Sequence, residues 1–267
     1  MPSGLLELYR ATLKPKDLAF NVYVCRPLAA LFVYALKGTR VAPNQVTFFS
    51  LLVAIGAAAC LLCVTWPLGL WLGVAVYELS YVFDKVDGML ARARGVQSST
   101  GHLLDFLMDE IKAFLILAAA AAGAYRSTGD VHALFWGLGG VVCLASGIGI
   151  TTFQRRPEVL EAARASAAVA SQGASPASMS SPMSSPISVP MPVRLAESVG
   201  RFFIHYPSYI WLAAAFSDVR LYLYPYVVVN ALYAARSMLG LMLRYGGLAP
   251  VSSATSSSAG VDPAGTP

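Results

Sequence analysis

The sequence predicts an all-α integral membrane protein: six transmembrane helices with an N-terminal amphipathic interfacial helix before them. Three observations predict it. Hydrophobic residues make up 57% of the 267 residues. Charged residues make up only 12%, about half the share in an ordinary soluble domain. The apolar residues also come in runs close to the roughly 20 residues needed to cross hydrocarbon.

The first segment, residues 1–40, is amphipathic. Lys14, Lys16, Asp17 and Arg26 interrupt its apolar positions, so a helix lying on the membrane surface is expected. Val41-Ala42-Pro43-Asn44 then reads as a helix start, with Asn44 suited to cap it. The expected spans cover residues 45–64, 68–83, 103–125, 131–153, 204–216 and 219–243. Trp66-Pro67 ends the first. The second continues as helix past the membrane boundary through Arg94. The fifth is short and contains His205 and Pro207. The membrane core thus divides into residues 41–165 with spans one to four, and residues 194–248 with spans five and six. Residues 166–193, rich in Ser, Pro, Ala and Met, read as a disordered linker, and residues 249–267 as a disordered tail.

Net charge is +5. In a soluble protein such a balance suggests nucleic acid. Here the basic residues sit mainly between apolar runs, where they set topology and favour anionic headgroups. No nucleic-acid partner is expected. Lys37 and Arg40 precede span one, Lys85, Arg92 and Arg94 follow span two, and Arg155, Arg156 and Arg164 follow span four. That bias places the site described next on the cytoplasmic side of a multi-pass protein. No cleavable signal peptide is expected. Cys60 and Cys63 form a CxxC inside an apolar run, where packed thiols are a better reading than redox or zinc chemistry.

The most informative stretch runs from Asp84 to Asp109. Asp84, Asp87, Asp105 and Asp109 lie near the ends of two apolar runs. Carboxylates at that depth are costly and mark a functional site by default. Asp84 and Asp87 are three apart and share a helix face; Asp105 and Asp109 are four apart on the next helix. A tight turn would bring the pairs together. Oxygen-only ligands point to a hard cation, Mg²⁺ or Mn²⁺, and a pair of such ions suits displacement at phosphorus. Gly88, Ala91 and Gly101 leave room for a ligand near backbone, and Arg92 can neutralise a diphosphate.

The string DxxDGxxAR, eight residues, GxxxDxxxD resembles the signature of the CDP-alcohol phosphotransferases, also called CDP-alcohol phosphatidyltransferases. The matching positions are Asp84, Asp87, Gly88, Ala91, Arg92, Gly101, Asp105 and Asp109. The resemblance implies an enzyme that transfers a substituted phosphate from a CDP-linked donor to an alcohol and releases CMP. It implies two Mg²⁺ or Mn²⁺ ions held by Asp84, Asp87, Asp105 and Asp109, with Asp109 also the proton acceptor. It implies CDP contacts at Gly88, Ala91, Arg92 and Gly101. Asn44 and Thr47 fall in a PNxxT element resembling one that opens the first span in this family. Ser98 stands where related lipid synthases place a small polar residue against the nucleotide. The expected donor is CDP-diacylglycerol, because a membrane site suits a two-tailed substrate. The expected acceptor is a small alcohol such as inositol, inositol phosphate, glycerol phosphate or serine. A soluble CDP-alcohol with a diacylglycerol acceptor is the other arrangement within the family. Members are often homodimers, though no interface signature is legible here. The sequence departs from many members after the last aspartate: Glu110 stands where a basic residue is common, and Lys112 follows two further on.

Two other classes compete. A magnesium-dependent, aspartate-rich membrane prenyltransferase would carry two acidic motifs far apart in sequence. A cation transporter would carry its carboxylates mid-span, often on broken helices. Here all four aspartates fall in one short segment near span ends.

Overall fold

The computed structural model describes residues 4–12, 18, 20–172 and 202–245. Among them every regular element is helical. The chain opens with α1 (Leu5–Thr12), a π-helical turn (Asn21–Cys25) and α2 (Arg26–Leu36). Five long helices follow: α3 (Pro43–Cys63), α4 (Leu68–Arg94), α5 (Ser99–Thr128), α6 (Val131–Gln154) and, after α7 (Pro157–Gln172) and the short α8 (Ile210–Ala215), α9 (Arg220–Tyr245). Of these, α3, α6 and α9 are long and apolar enough to cross a membrane.

The long helices pack through small residues. Hydrocarbon gives apolar side chains no reason to leave lipid, so tight backbone approach carries much of the association. Ala54, Ala57 and Ala58 of α3 are buried, as are Gly69 and Gly73 of α4. Ala120, Ala121, Gly123 and Ala124 of α5 are buried as well. A Cβ added to Gly123 would stand 2.2 Å from the Leu61 carbonyl oxygen, and one at Gly137 would stand 2.1 Å from Ala121 Cβ. The opposite face of α3 shows Phe48, Phe49, Leu52 and Ile55, as expected of a surface solvated by lipid.

Two apolar clusters result. The larger joins α3, α4, α5, α6, α8 and α9 around Leu61, Ile116, Leu117, Tyr209 and Tyr222. The smaller joins α1, α2 and the far end of α4 around Leu8, Val33, Val86, Met89 and Leu90. The smaller cluster steadies the part of α4 that outruns its apolar stretch. Gly95, at φ +68°, ends that helix in the left-handed conformation, and its N–H reaches the carbonyls of Ala91 and Arg92.

Several expectations change. Residues 5–40 are not one amphipathic helix: α1 and α2 are separate, and Arg26 is buried rather than turned to water. Its guanidinium is drawn inward by a carbonyl at the end of α1. Asn44 is not the cap of α3; the flanking residue is Ala42, and Gln45 Oε1 accepts from the Ala42 N–H at 2.9 Å. Pro43, lacking an N–H, suits the first helical position and moves the start back by two residues. Residues 204–216 do not form a continuous helix. Pro207 sits in a 3₁₀ turn (Tyr206–Ser208), leaving α8 only six residues. α7 runs to Gln172, into the expected linker, because its Ala-rich sequence favours helix over the Ser residues' preference for turns. Residues 173–193 and the expected tail lie outside the described residues. Cys63 is exposed and Cys60 half-buried, so these thiols are not core packing.

Candidate active site

The site forms where the end of α4, the start of α5 and the start of α3 meet. α3 packs against both of the others. The turn between Gly95 and Ser98 reverses the chain, and Ser98 caps α5: its Oγ accepts from the Gly101 N–H at 2.9 Å. This brings the two halves of the aspartate string face to face. Asp84, Asp105 and Asp109 each offer an oxygen within 4.8 Å of the others. Asp87 stands beside them and is held differently: Thr47 Oγ1, from α3, donates to its Oδ2.

A hard divalent cation fits this donor set. Three carboxylates converge with no nitrogen or sulfur ligand in the group. Such a cluster needs compensating positive charge, and the chain supplies some itself. Lys85 Nζ lies 2.8 Å from Asp84 Oδ2. Lys112 Nζ pairs with Asp84 Oδ1 and lies 3.2 Å from Asp109 Oδ1. Burial alone would raise the Asp84 carboxyl, but the Lys85 and Lys112 ammonium groups outweigh it and hold it well below the usual carboxylate range. Among the described residues, no ammonium group is paired with Asp87 in that way. Burial, and then the Asp84 charge, push it up to about 7 against the opposing Thr47 hydrogen bond.

Beside the carboxylates opens a pocket of about 650 Å³, within the range of small-molecule sites. Its lining includes Asn44, Thr47, Gly88, Ala91, Arg92, Ser98 and Gly101, together with Asp87 and Asp105. All seven residues expected to meet a nucleotide thus share one cavity. Gly101 sits close to its neighbours there: an added Cβ would meet Ser98 Oγ at 3.0 Å and Asn44 Oδ1 at 3.5 Å. At Gly88 an added Cβ would stand 3.4 Å from Arg92 Nη1, at ordinary contact with the guanidinium.

Arg40, Arg94, Gln97 and His102 also line the pocket, and sequence reasoning gave the first three no role in it. Arg94 turns out to be a tether: Nη2 donates to Leu36 O at 2.6 Å and to Thr39 O at 3.0 Å, and Nη1 donates to Val41 O. It fastens the α2–α3 connection to α4. No spacing rule reveals that contact, because the connection is irregular. Lys112 was legible in part, since it follows Asp109 by one helical turn.

An all-helical membrane protein with converging carboxylates beside a polar, arginine-lined pocket belongs among enzymes that handle phosphate esters at a membrane. Residues 40–188, more than half of the chain, match the CDP-alcohol phosphatidyltransferase family, and the chain belongs to it. No curated protein matches the chain. Membership makes the protein a transferase of phospholipid synthesis, acting in phosphatidyl transfer between a CDP-alcohol and an alcohol acceptor. Divalent-metal dependence is a property of the family. The prenyltransferase and transporter alternatives are thereby set aside.

Proposed function

We propose that this protein transfers a phosphatidyl group from CDP-diacylglycerol to a small alcohol and releases CMP, using two Mg²⁺ or Mn²⁺ ions. The observation that carries this reading is the single cavity shared by Asn44, Thr47, Gly88, Ala91, Arg92, Ser98 and Gly101 at the edge of the aspartate cluster. Asp84, Asp87, Asp105 and Asp109 would hold the ions. When bound, such ions would neutralise the diphosphate oxygens and make the phosphorus more electrophilic.

The chain's own groups supply the rest. Arg92 meets the diphosphate, and Gly88 allows the close approach. Asn44, Thr47, Ala91, Ser98 and Gly101 enclose the nucleotide. The acceptor oxygen bonds to the phosphorus of the phosphatidyl group. The bond from that phosphorus to the CMP oxygen breaks, and CMP leaves with the electron pair. The hydroxyl proton passes to Asp109, whose side chain is about half exposed and so open to an incoming alcohol.

The same reading gives a six-crossing bundle. Its crossings are α3, α4, α5, α6 and α9, with the 204–216 segment, broken at Pro207, as the fifth. In this reading α1 and α2 lie along the cytoplasmic surface, and the site opens to the cytoplasm. The basic residues around the pocket, Arg40, Arg92 and Arg94, support that side.

The test is direct. Purified protein is incubated with labelled CDP-diacylglycerol, Mg²⁺ and a panel of small alcohols, and the lipid product is identified. CMP release that depends on one alcohol supports the reading. If CMP appears only with a soluble CDP-alcohol and diacylglycerol, the donor assignment is wrong.

A further inference from the structure

The site carries a cation of its own. Lys112 is only 2% exposed, and its ammonium bridges Asp84 and Asp109. A buried lysine is tolerated when fully paired, and this one is paired twice. Both partners belong to the three-carboxylate group that could hold an ion. Lys85, more exposed, pairs with the other oxygen of Asp84 and also lies over the Tyr81 ring. Lys112 therefore occupies one edge of the carboxylate triangle.

Formal charge then limits what the site can hold. Among the described residues, the four carboxylates and the two ammonium groups paired with them carry a formal charge of minus two. One divalent ion cancels it. A second would leave a net charge of plus two in a largely buried site, which is unfavourable without further anions. A diphosphate supplies such anions.

The geometry points to Lys112 as a positioning residue that makes the second divalent ion depend on the nucleotide diphosphate. This rests on the two-ion reading above and deepens it. Lys112 holds the Asp84 and Asp109 carboxylates in place before substrate arrives, and its charge keeps the second ion weakly bound until then. The enzyme so avoids holding a fully loaded, strongly electrophilic centre without its donor.

The experiment is a Mn²⁺ titration of the full chain in detergent, followed by electron paramagnetic resonance, with and without cytidine 5′-diphosphate. The wild type should hold one ion without nucleotide and two with it. The affinity for the second should rise by roughly tenfold or more on adding nucleotide, since opposite charges about 4 Å apart in a partly screened site attract strongly. Lys112→Met should hold two ions with or without nucleotide, and Lys112→Arg should keep the wild-type pattern. Lys112→Gln serves if the methionine variant does not fold. Two ions bound equally well to the wild type in both conditions would overturn the role of Lys112 and leave the metal centre standing. So would a neutral variant that keeps the nucleotide dependence. If Mn²⁺ binds under neither condition, the two-ion reading itself fails, and this inference with it.

Discussion

Arg92 Nε donates to the carbonyl oxygen of Thr12 at 2.9 Å, across eighty residues of sequence. Arg26 Nη1 donates to the same oxygen at 3.2 Å. Thr12 is the last residue of α1, so this carbonyl is one of the acceptors a helix leaves without an internal partner. The helix dipole also favours cations there. The N-terminal helix therefore takes part in aiming the guanidinium expected to meet the diphosphate.

The Arg26 contact yields the first prediction. Arg26 is not among the residues lining the pocket, and it shares the Thr12 carbonyl with Arg92, so Arg26→Met acts on the nucleotide indirectly. CMP affinity is expected to fall by about three- to tenfold, the effect of loosening roughly one net hydrogen bond. Isothermal titration checks it. An unchanged affinity in a folded variant would mean that α1 does not position Arg92.

Gly88→Leu is expected to abolish measurable CMP binding while the bundle stays folded. A methyl group at this position already reaches 3.4 Å from Arg92 Nη1, and three further carbons extend into the cavity. Thermal unfolding separates the two effects: the melting temperature should hold while the shift caused by CMP disappears.

Asp109→Asn keeps the size of the side chain and removes its capacity to accept a proton. Turnover is expected to fall by roughly 10² or more, the usual share of a general base. CMP affinity should change little, because Asp109 does not line the nucleotide cavity. Normal turnover in this variant would move the base elsewhere.

The raised Asp87 carboxyl predicts how pH and metal act together. Its proton is held more tightly in the folded protein, up to about 7, than in the unfolded chain. Its contribution to stability is therefore complete below the ordinary aspartate value and is lost as pH rises through about 7. The metal-free protein should melt at lower temperature at pH 8 than at pH 5. Mg²⁺ binds the ionised form, so its stabilising shift should grow across the same window. A Mg²⁺ shift that shrinks with rising pH would contradict this.

Much of this site was legible because it is local. Asp84, Asp87, Gly88, Ala91 and Arg92 sit at helical spacing on α4, and Gly101, Asp105 and Asp109 repeat that logic on α5. Helical periodicity converts such spacings into shared faces without tertiary information. The extension of α4 to Arg94 follows for the same reason. What stayed hidden depends on packing between distant segments. Nothing in the sequence around Thr12 announces that its carbonyl receives two arginines. The inward turn of Arg26 contradicts the pattern of a surface helix, and the Arg94 tether reaches three carbonyls in an irregular connection. The break at Pro207 was visible as a proline, but its consequence for the length of α8 depended on how the Tyr206 and Tyr209 rings pack against Tyr222.

A tight helix approach in the apolar half of the bundle gives a prediction independent of the chemistry. At Gly123 an added methyl would meet the Leu61 carbonyl oxygen at 2.2 Å and its carbon at 3.0 Å. Both are backbone atoms, so relief requires α3 and α5 to move apart. Gly123→Ala is expected to destabilise the protein by about 1–3 kcal/mol, the usual cost of overpacking. Gly139 on α6 is the comparison, because a Cβ there meets nothing within 4 Å. Gly139→Ala should leave the melting temperature unchanged or slightly raised, since alanine is the better helix former. Measured side by side in one detergent, the two substitutions differ only in what the new methyl touches. Equal melting temperatures would show that α3 and α5 are not held at backbone contact.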